Sequence, residues 1–271
     1  MNIFLTIVIF YIGAALGSFL SVLIYRTRHG LSGIVAGRSA CPHCKKTLIA
    51  IDLLPIVNYL VLKGRCRHCK EKIAPHYLLL EITTGLALAA LYLKFPFLTY
   101  LNEAPYMNFD LQLLWDFARY ALVSIMLMAI FFYDLLYKEI PDIYSYLAII
   151  FVVAGNIYTG TPAFPDFVLG GAVGAVFFLA QIILSKGRWV GSGDVILGML
   201  MGLTLGWKQL LIALFISYII GAVISIWLLA AKRATKKTQI PFAPFLVTGT
   251  ILTILFGDII LNWYQYNFLA L

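Results

Sequence analysis

Charge is scarce in this sequence. Only 12% of its 271 residues are Asp, Glu, Lys or Arg, and 62% are hydrophobic. A water-soluble globular chain carries about 25% charged and about 45–50% apolar residues. The deficit excludes a freely soluble globular protein, and the apolar excess falls in several long runs, as in a polytopic membrane protein. The first run, 3–25, has no charged n-region and no obvious cleavage site, so it reads as a retained helix and not a signal peptide. Polar residues are few at the middle of the runs, which disfavours a transporter, whose path needs them in several spans. Cysteine is scarce too: there are four, and none lies outside 41–69.

The runs predict an all-α membrane protein with about eight transmembrane helices. Helix 1 covers 3–25, and a polar, basic insert covers 26–76. Helix 2 covers 77–95, and a loop with Glu103, Asp110 and Asp116 follows. Helix 3 covers 118–137, helix 4 143–158, helix 5 167–185, helix 6 194–206, helix 7 209–231 and helix 8 243–264. The domain division expected is 1–25, a first transmembrane helix; 26–76, a cytoplasmic four-cysteine zinc-binding domain between helices 1 and 2; and 77–271, a transmembrane domain that holds the remaining spans.

Charge orients this arrangement. With the insert inside, 17 of the 20 Lys and Arg residues face the cytoplasm, and only Lys94, Arg119 and Lys208 do not. That is a strong positive-inside bias. The net charge of +8 is therefore a topological signal, and nucleic acid is not an expected partner. Helix 6 is short: at 1.5 Å per residue it rises about 20 Å, against a hydrocarbon core of about 30 Å. Its first residue, Asp194, is expected to lie sunk below the membrane surface. Small residues every fourth position permit close helix packing: Gly13, Gly17 and Ser21; Gly170 and Gly174; Gly198, Gly202 and Gly206.

The four cysteines form two pairs, Cys41-Pro-His-Cys44 and Cys66-Arg-His-Cys69, with 21 residues between them. A two-residue gap lets both thiolates of a pair reach one tetrahedral ion. Two such knuckles complete a closed four-thiolate site that suits structural Zn²⁺. His43 and His68 are not needed as ligands. The site would hold together a domain too small to fold unaided. Arg65, Arg67, Lys70 and Lys72 could suggest nucleic-acid binding, but the positive-inside bias already accounts for them.

Two acids stand at helix ends on the same side. Asp194 follows Gly191-Ser192-Gly193. As an N-cap it would be ordinary, but the glycines also admit close backbone approach, as an extended substrate needs. Asp134 ends helix 3, where the helix dipole disfavours a negative charge, and its plain reading is a surface acid paired with Lys138. Together the pair fits aspartic-protease chemistry: one carboxylate activates water and the other donates a proton. Asp142 reads as the N-cap of helix 4. Glu81 is about one turn into helix 2, where an acid is functional by default, and it could take a substrate amine or a cofactor. Asp258 has no assigned role.

These residues resemble the type IV prepilin leader peptidases, bifunctional GxGD aspartyl proteases of the bacterial inner membrane. The resemblance runs along nearly the whole chain: Gly17-Ser18-Phe19-Leu20 to Tyr25-Arg26, then Arg38-Ser39-Ala40-Cys41-Pro42-x-Cys44 and Asp52-Leu53-x-Pro55. It continues through Gly64-Arg65-Cys66-Arg67-x-Cys69, Tyr77 to Glu81, Asp134 with Ile140-Pro141-Asp142, Gly191 to Asp194, and Pro241-Phe242-Ala243-Pro244-Phe245. It implies that Asp134 and Asp194 cut the basic leader of pilin-like precursors after a glycine at the cytoplasmic face. It also implies that the new N-terminus is methylated from S-adenosylmethionine, and that the cysteine insert is a zinc-stapled domain. Membrane lipid and the precursor are the expected partners.

Three positions depart from the family pattern: Ile196 stands where Lys is frequent, Ala243 where Gly is, and Ser21 where Asn is. No Rossmann-type Gly-rich loop is present to place S-adenosylmethionine. Two other readings are a presenilin-like intramembrane protease and a zinc-knuckle membrane scaffold or transporter. The first lacks its Pro-Ala-Leu motif here and leaves the cysteines unexplained.

Overall fold

The computed structural model describes residues 2–30, 39–100, 107–233, 235 and 238–269. Arg38 and Glu103, named above, and Lys236 and Lys237, two of the 17 basic residues counted inside, lie outside the described residues. The fold is mostly helical, and among the described residues seven helices are long and apolar enough to cross a membrane. The chain divides into two compact units, Met1–Phe117 and Ala118–Leu271.

In the first unit α1 (Asn2–Arg28) packs antiparallel on α3 (Pro75–Lys94). Glycine makes the crossing close. A Cβ on Gly13 would lie 2.9 Å from the Gly85 Cα, and one on Gly17 would lie 2.8 Å from the Leu80 carbonyl oxygen. Backbones at this range gain dispersion and interhelical contact that lipid does not supply. Pro75 opens α3 at a position where its missing N–H costs nothing. Between these helices lie the cysteine segment, a 3₁₀ turn at Ala50–Leu53 and the short α2 (Val57–Val61). After α3 a two-stranded antiparallel pair, β1 (Leu98–Tyr100) and β2 (Met107–Phe109), leads into α4.

Helix α4 (Leu111–Tyr137) starts seven residues before its expected first residue, 118. Asp110 is the reason: its Oδ1 accepts the Leu113 N–H at 3.0 Å and caps the helix. Asp116 consequently lies inside the helix and not in a loop.

The second unit holds the rest of α4 with α5 (Asp142–Thr159), α6 (Phe164–Ser185), α7 (Ser192–Ala230) and α8 (Ala243–Tyr264). The 39 residues of α7 are not one rod. Gly206 sits at φ 75°, ψ 168°, a conformation open only to glycine, and the chain reverses there. Contacts with α6 show the reversal. Gly174 meets both Gly198 and Leu210, and Gly170 meets both Gly202 and Trp207. The first limb therefore runs antiparallel to α6 and the second runs parallel to it. This turn separates the two spans expected at 194–206 and 209–231. A Cβ on Gly174 or Gly202 would overlap backbone across the α6–α7 crossing. Helix α8 returns antiparallel to the second limb, with Gly249 against Ser217 and Ala213, and Gly221 against Phe245.

One end of this unit is fixed by Arg119, which is 7% exposed. Its guanidinium donates to Asn156 Oδ1 at 2.8 Å, to Thr159 Oγ1 at 3.1 Å and to the Thr161 carbonyl. Asn156 in turn donates to the Leu203 carbonyl at 2.8 Å, just before the reversal. A charge this deep in apolar surroundings is costly, and the three oxygen acceptors around one guanidinium nitrogen offset part of that cost. Asp134 lies about 22 Å further along α4, at the other end.

Candidate active site and metal centre

That other end is built from four helix termini. Asp134 is 6% exposed and Asp194 is 7% exposed. Asp134 lies one turn before the end of α4, and its Oδ2 accepts the N–H of Ala243 at 2.9 Å. Ala243 is the first residue of α8, so the carboxylate occupies a helix N-terminus, where free N–H groups and the dipole favour negative charge. Asp194 lies at the third position of α7. Gly191, not Asp194, is the N-cap residue, and Asp194 Oδ2 reaches back to its N–H at 2.9 Å. Similarly, Pro141 and not Asp142 occupies the N-cap position of α5. The two buried acids lie within electrostatic range of each other, and Lys138 lies within range of Asp134.

Packing holds these termini in register. The Cβ direction of Gly193 is filled by Ile140, whose own Cβ lies 2.8 Å from that position. Gly191, by contrast, faces open space apart from the Asp194 carboxylate. An aromatic group flanks the acids: Tyr218 with Phe242 at 5.3 Å between ring centroids, and Phe178 with Phe242 at 6.4 Å. Tyr218 hydrogen-bonds Gln181 at 2.9 Å and lies within electrostatic range of Asp194. Ala243, Tyr218 and Gln181 were not singled out for roles from sequence. The one signal was the Pro-flanked Phe242-Ala243, where a helix starts between two prolines and leaves an N–H for a partner.

The four thiols converge in the first unit. Their sulfur atoms all lie within 4.8 Å of one another, and those of Cys41 and Cys69 are 3.9 Å apart. A tetrahedral ion bonded at about 2.3 Å sets sulfurs about 3.8 Å apart, so this set fits a metal ion. The two knuckles repeat one turn. Lys45 and Lys70 both adopt left-handed φ, 58° and 59°, and their N–H groups return to Cys41 and Cys66. Crowding splits the thiols. The Cys69 N–H and neighbouring donors hold Cys66 down at about 7. Cys69 receives the Glu71 N–H, but burial and the adjacent sulfurs push it up to about 11. A divalent cation would relieve that conflict by stabilising all four thiolates.

Glu81 is brought to neither cluster described so far. Its Oε2 accepts the Ile56 N–H at 2.7 Å, and it hydrogen-bonds Ser18. Asp52 pairs with Arg67 at 2.7 Å. Burial alone would raise the Asp52 carboxyl, but the Arg67 and Ile49 donors hold it below its usual value.

The chain is thus a multi-pass membrane protein with two buried carboxylates at helix termini and a convergent cluster of four thiols. Residues 11–95 match the Bacterial Peptidase A24 N-terminal domain, and residues 121–226 match the Type IV leader peptidase family. A protein of Bacillus subtilis (strain 168) is 30% identical over 95% of this chain and 96% of its own length. Relatives in Aeromonas hydrophila (30%; 87% of this chain, 77% of the relative) and Legionella pneumophila (29%; 96% and 94%) are similar. All three are named prepilin leader peptidase/N-methyltransferase. The chain belongs to that family. No solved structure matches it.

Proposed function

We propose that this protein removes the leader from type IV pilin-like precursors and methylates the N-terminus it exposes, the two activities in its relatives' names. The observation that carries the first activity is the pair Asp134 and Asp194, both buried, at one end of the helical unit, each anchored by a backbone N–H. One carboxylate takes a proton from water as the water oxygen attacks the scissile carbonyl. The other gives its proton to the carbonyl oxygen; as the carbon–nitrogen bond of the resulting diol breaks, the first carboxyl passes the proton it took from water to the departing amine, and the second takes one back from a diol hydroxyl. Gly191 leaves room for an extended substrate beside Asp194. A bare helix N-terminus under Asp134 keeps that carboxylate fixed while protons move.

The charge bias puts this end, and the thiol domain, on the cytoplasmic side of a bacterial inner membrane. A precursor with a basic leader before an apolar helix would lie with the leader in the cytoplasm and the helix in the bilayer. Its scissile bond then falls at the depth of the two acids. Cys41, Cys44, Cys66 and Cys69 hold a zinc ion that staples the small domain and takes no part in the reaction, because four thiolates leave no open position. S-adenosylmethionine supplies an electrophilic methyl group for the second activity.

The test uses membranes containing a pilin-like precursor and labelled S-adenosylmethionine. Asp134→Asn and Asp194→Asn should each abolish cleavage at unchanged protein level, and wild type should place label on the mature N-terminus. Cleavage surviving in either variant overturns the paired-acid reading.

A further inference from the structure

The two acids have a polar neighbour that the reaction above leaves unused. Gln181 on α6 and Tyr218 on the second limb of α7 bond each other. Gln181 Nε2 donates to the Tyr218 hydroxyl at 2.9 Å, and that hydroxyl lies 3.0 Å from Gln181 Oε1. Asp194 lies twelve residues before the reversal at Gly206, and Tyr218 lies twelve after it. On two antiparallel limbs this sets both about 18 Å from the turn, at one depth. The second limb runs as far again beyond Tyr218 to Ala230, so that depth is inside the bilayer.

Tyr218 flanks both acids. It lies within electrostatic range of Asp194. Its ring meets Phe242 at 5.3 Å between centroids, and Phe242 precedes Ala243, whose N–H holds Asp134.

The surroundings of the pair are apolar and open. Phe177 and Leu184 share the face of α6 that carries Gln181, Phe215 lies one turn from Tyr218, and all three are exposed. Tyr218 itself is 38% exposed. Among the described residues, Gln181 and Tyr218 hydrogen-bond only each other. An amide and a phenol carry more donors and acceptors than one mutual contact fills. In hydrocarbon no water takes up the remainder.

A precursor brings the missing partners. The first N–H groups of an apolar helix have no intrahelical acceptor, and at this depth they need one from the protein. We propose that Gln181 and Tyr218 form a substrate-binding pair. Their oxygens accept backbone N–H groups of the first residues after the scissile bond, and the Gln181 amide donates to a carbonyl of the same stretch. The assignment rests on the leader-peptidase reading above. Without substrate the two side chains satisfy each other; with it they part, and each takes a main-chain partner. Main-chain bonds of this kind supply affinity and register without reading side chains, so the pair sets the depth at which the chain is cut.

Initial rates over a range of precursor concentrations are measured with the full-length protein in detergent, with its metal, together with melting temperatures. Tyr218→Phe keeps the ring on Phe242 and removes only the hydroxyl. This variant and Gln181→Leu should each raise KM about fivefold or more, the scale of a lost neutral hydrogen bond, with kcat little changed. A second precursor carries an ester in place of one amide two or three residues after the scissile bond, which deletes an N–H. It should raise KM for wild type and add nothing in the double variant Gln181→Leu/Tyr218→Phe. Unchanged KM in both single variants, whatever their melting temperatures, makes the pair an interhelical clasp and overturns the proposal while cleavage stands. An ester penalty absent from wild type, or equal in wild type and the double variant, overturns it as well. Wild type that leaves the precursor uncut overturns the leader-peptidase reading, and the pair's role with it.

Discussion

The Asp134 carboxylate accepts a hydrogen bond from the backbone N–H of Ala243, 109 residues further along the chain, at 2.9 Å. Because that N–H is the first of a helix, it has no partner of its own to return to. Ala243→Pro deletes the donor at the first helical position, with some added strain because Phe242 before it is helical at φ −99°, ψ −31°. Cleavage should fall by about tenfold or more, on the scale of a lost charge-assisted hydrogen bond, while Ala243→Gly, which keeps the N–H, should cleave at near the wild-type rate. Initial-rate assays on the two purified variants make the comparison.

Gly193 and Ile140 interlock, and the contact sets how the start of α7 meets the α4–α5 turn. Gly193→Ala should reduce cleavage and lower the melting temperature. Shortening the partner, as in the double variant with Ile140→Ala, should restore part of both. A double-mutant cycle with no coupling between the two positions would count against the interlock.

At Gly206 the prediction concerns stability alone. The backbone there is accessible essentially only to glycine, so Gly206→Ala should cost about 1–3 kcal/mol, read as a lower melting temperature in detergent. If the variant is as stable as wild type, the reversal in α7 is not where it is described.

The thiols should carry about one zinc per chain by elemental analysis, as expected for one tetrahedral four-thiolate site. Cys44→Ser or a strong chelator should release it. The segment around residues 39–74 should then become sensitive to protease, since metal binding and folding are one event in domains this small. Full metal content in Cys44→Ser would remove Cys44 from the ligand set.

Asp52 and Arg67 give a pH dependence of known sign. The folded-state carboxyl lies below its ordinary value, so its contribution is present above that value and is lost as pH falls through the folded one. Arg67→Ala should move Asp52 back up toward the ordinary range, measured by a carbon-13 carboxyl titration of Asp-labelled protein. An unmoved Asp52 would mean that Arg67 is not its main partner.

Much of this architecture is legible in the chain because lipid imposes long apolar runs and close helices demand glycine. The spacing of Gly170 and Gly174, and of Gly198 and Gly202, marks faces open to close packing, and the structure shows that they meet each other. The start of α4 is not legible in the same way, because Leu111 to Phe117 includes Asp116 and reads as loop until the cap at Asp110 is seen. Asp194 itself reads as a cap, and only the structure shows that helix α7 opens two residues earlier. Backbone donors leave the faintest trace. Neither the Ala243 N–H nor the Ile56 N–H has a side-chain signature, although each holds one of the acids that matter.

The reversal at Gly206 makes the first limb of α7 about 20 Å long, roughly 10 Å less than an average hydrocarbon core. A membrane protein with one abbreviated wall imposes a mismatch on the lipid beside it, and the bilayer must thin there or the wall must sit below one surface. Membrane thickness thereby becomes a control on the protein. In vesicles of graded acyl-chain length, the exposure of Asp194 to water, and with it the rate of any chemistry performed there, should rise as the bilayer narrows toward the span of that limb.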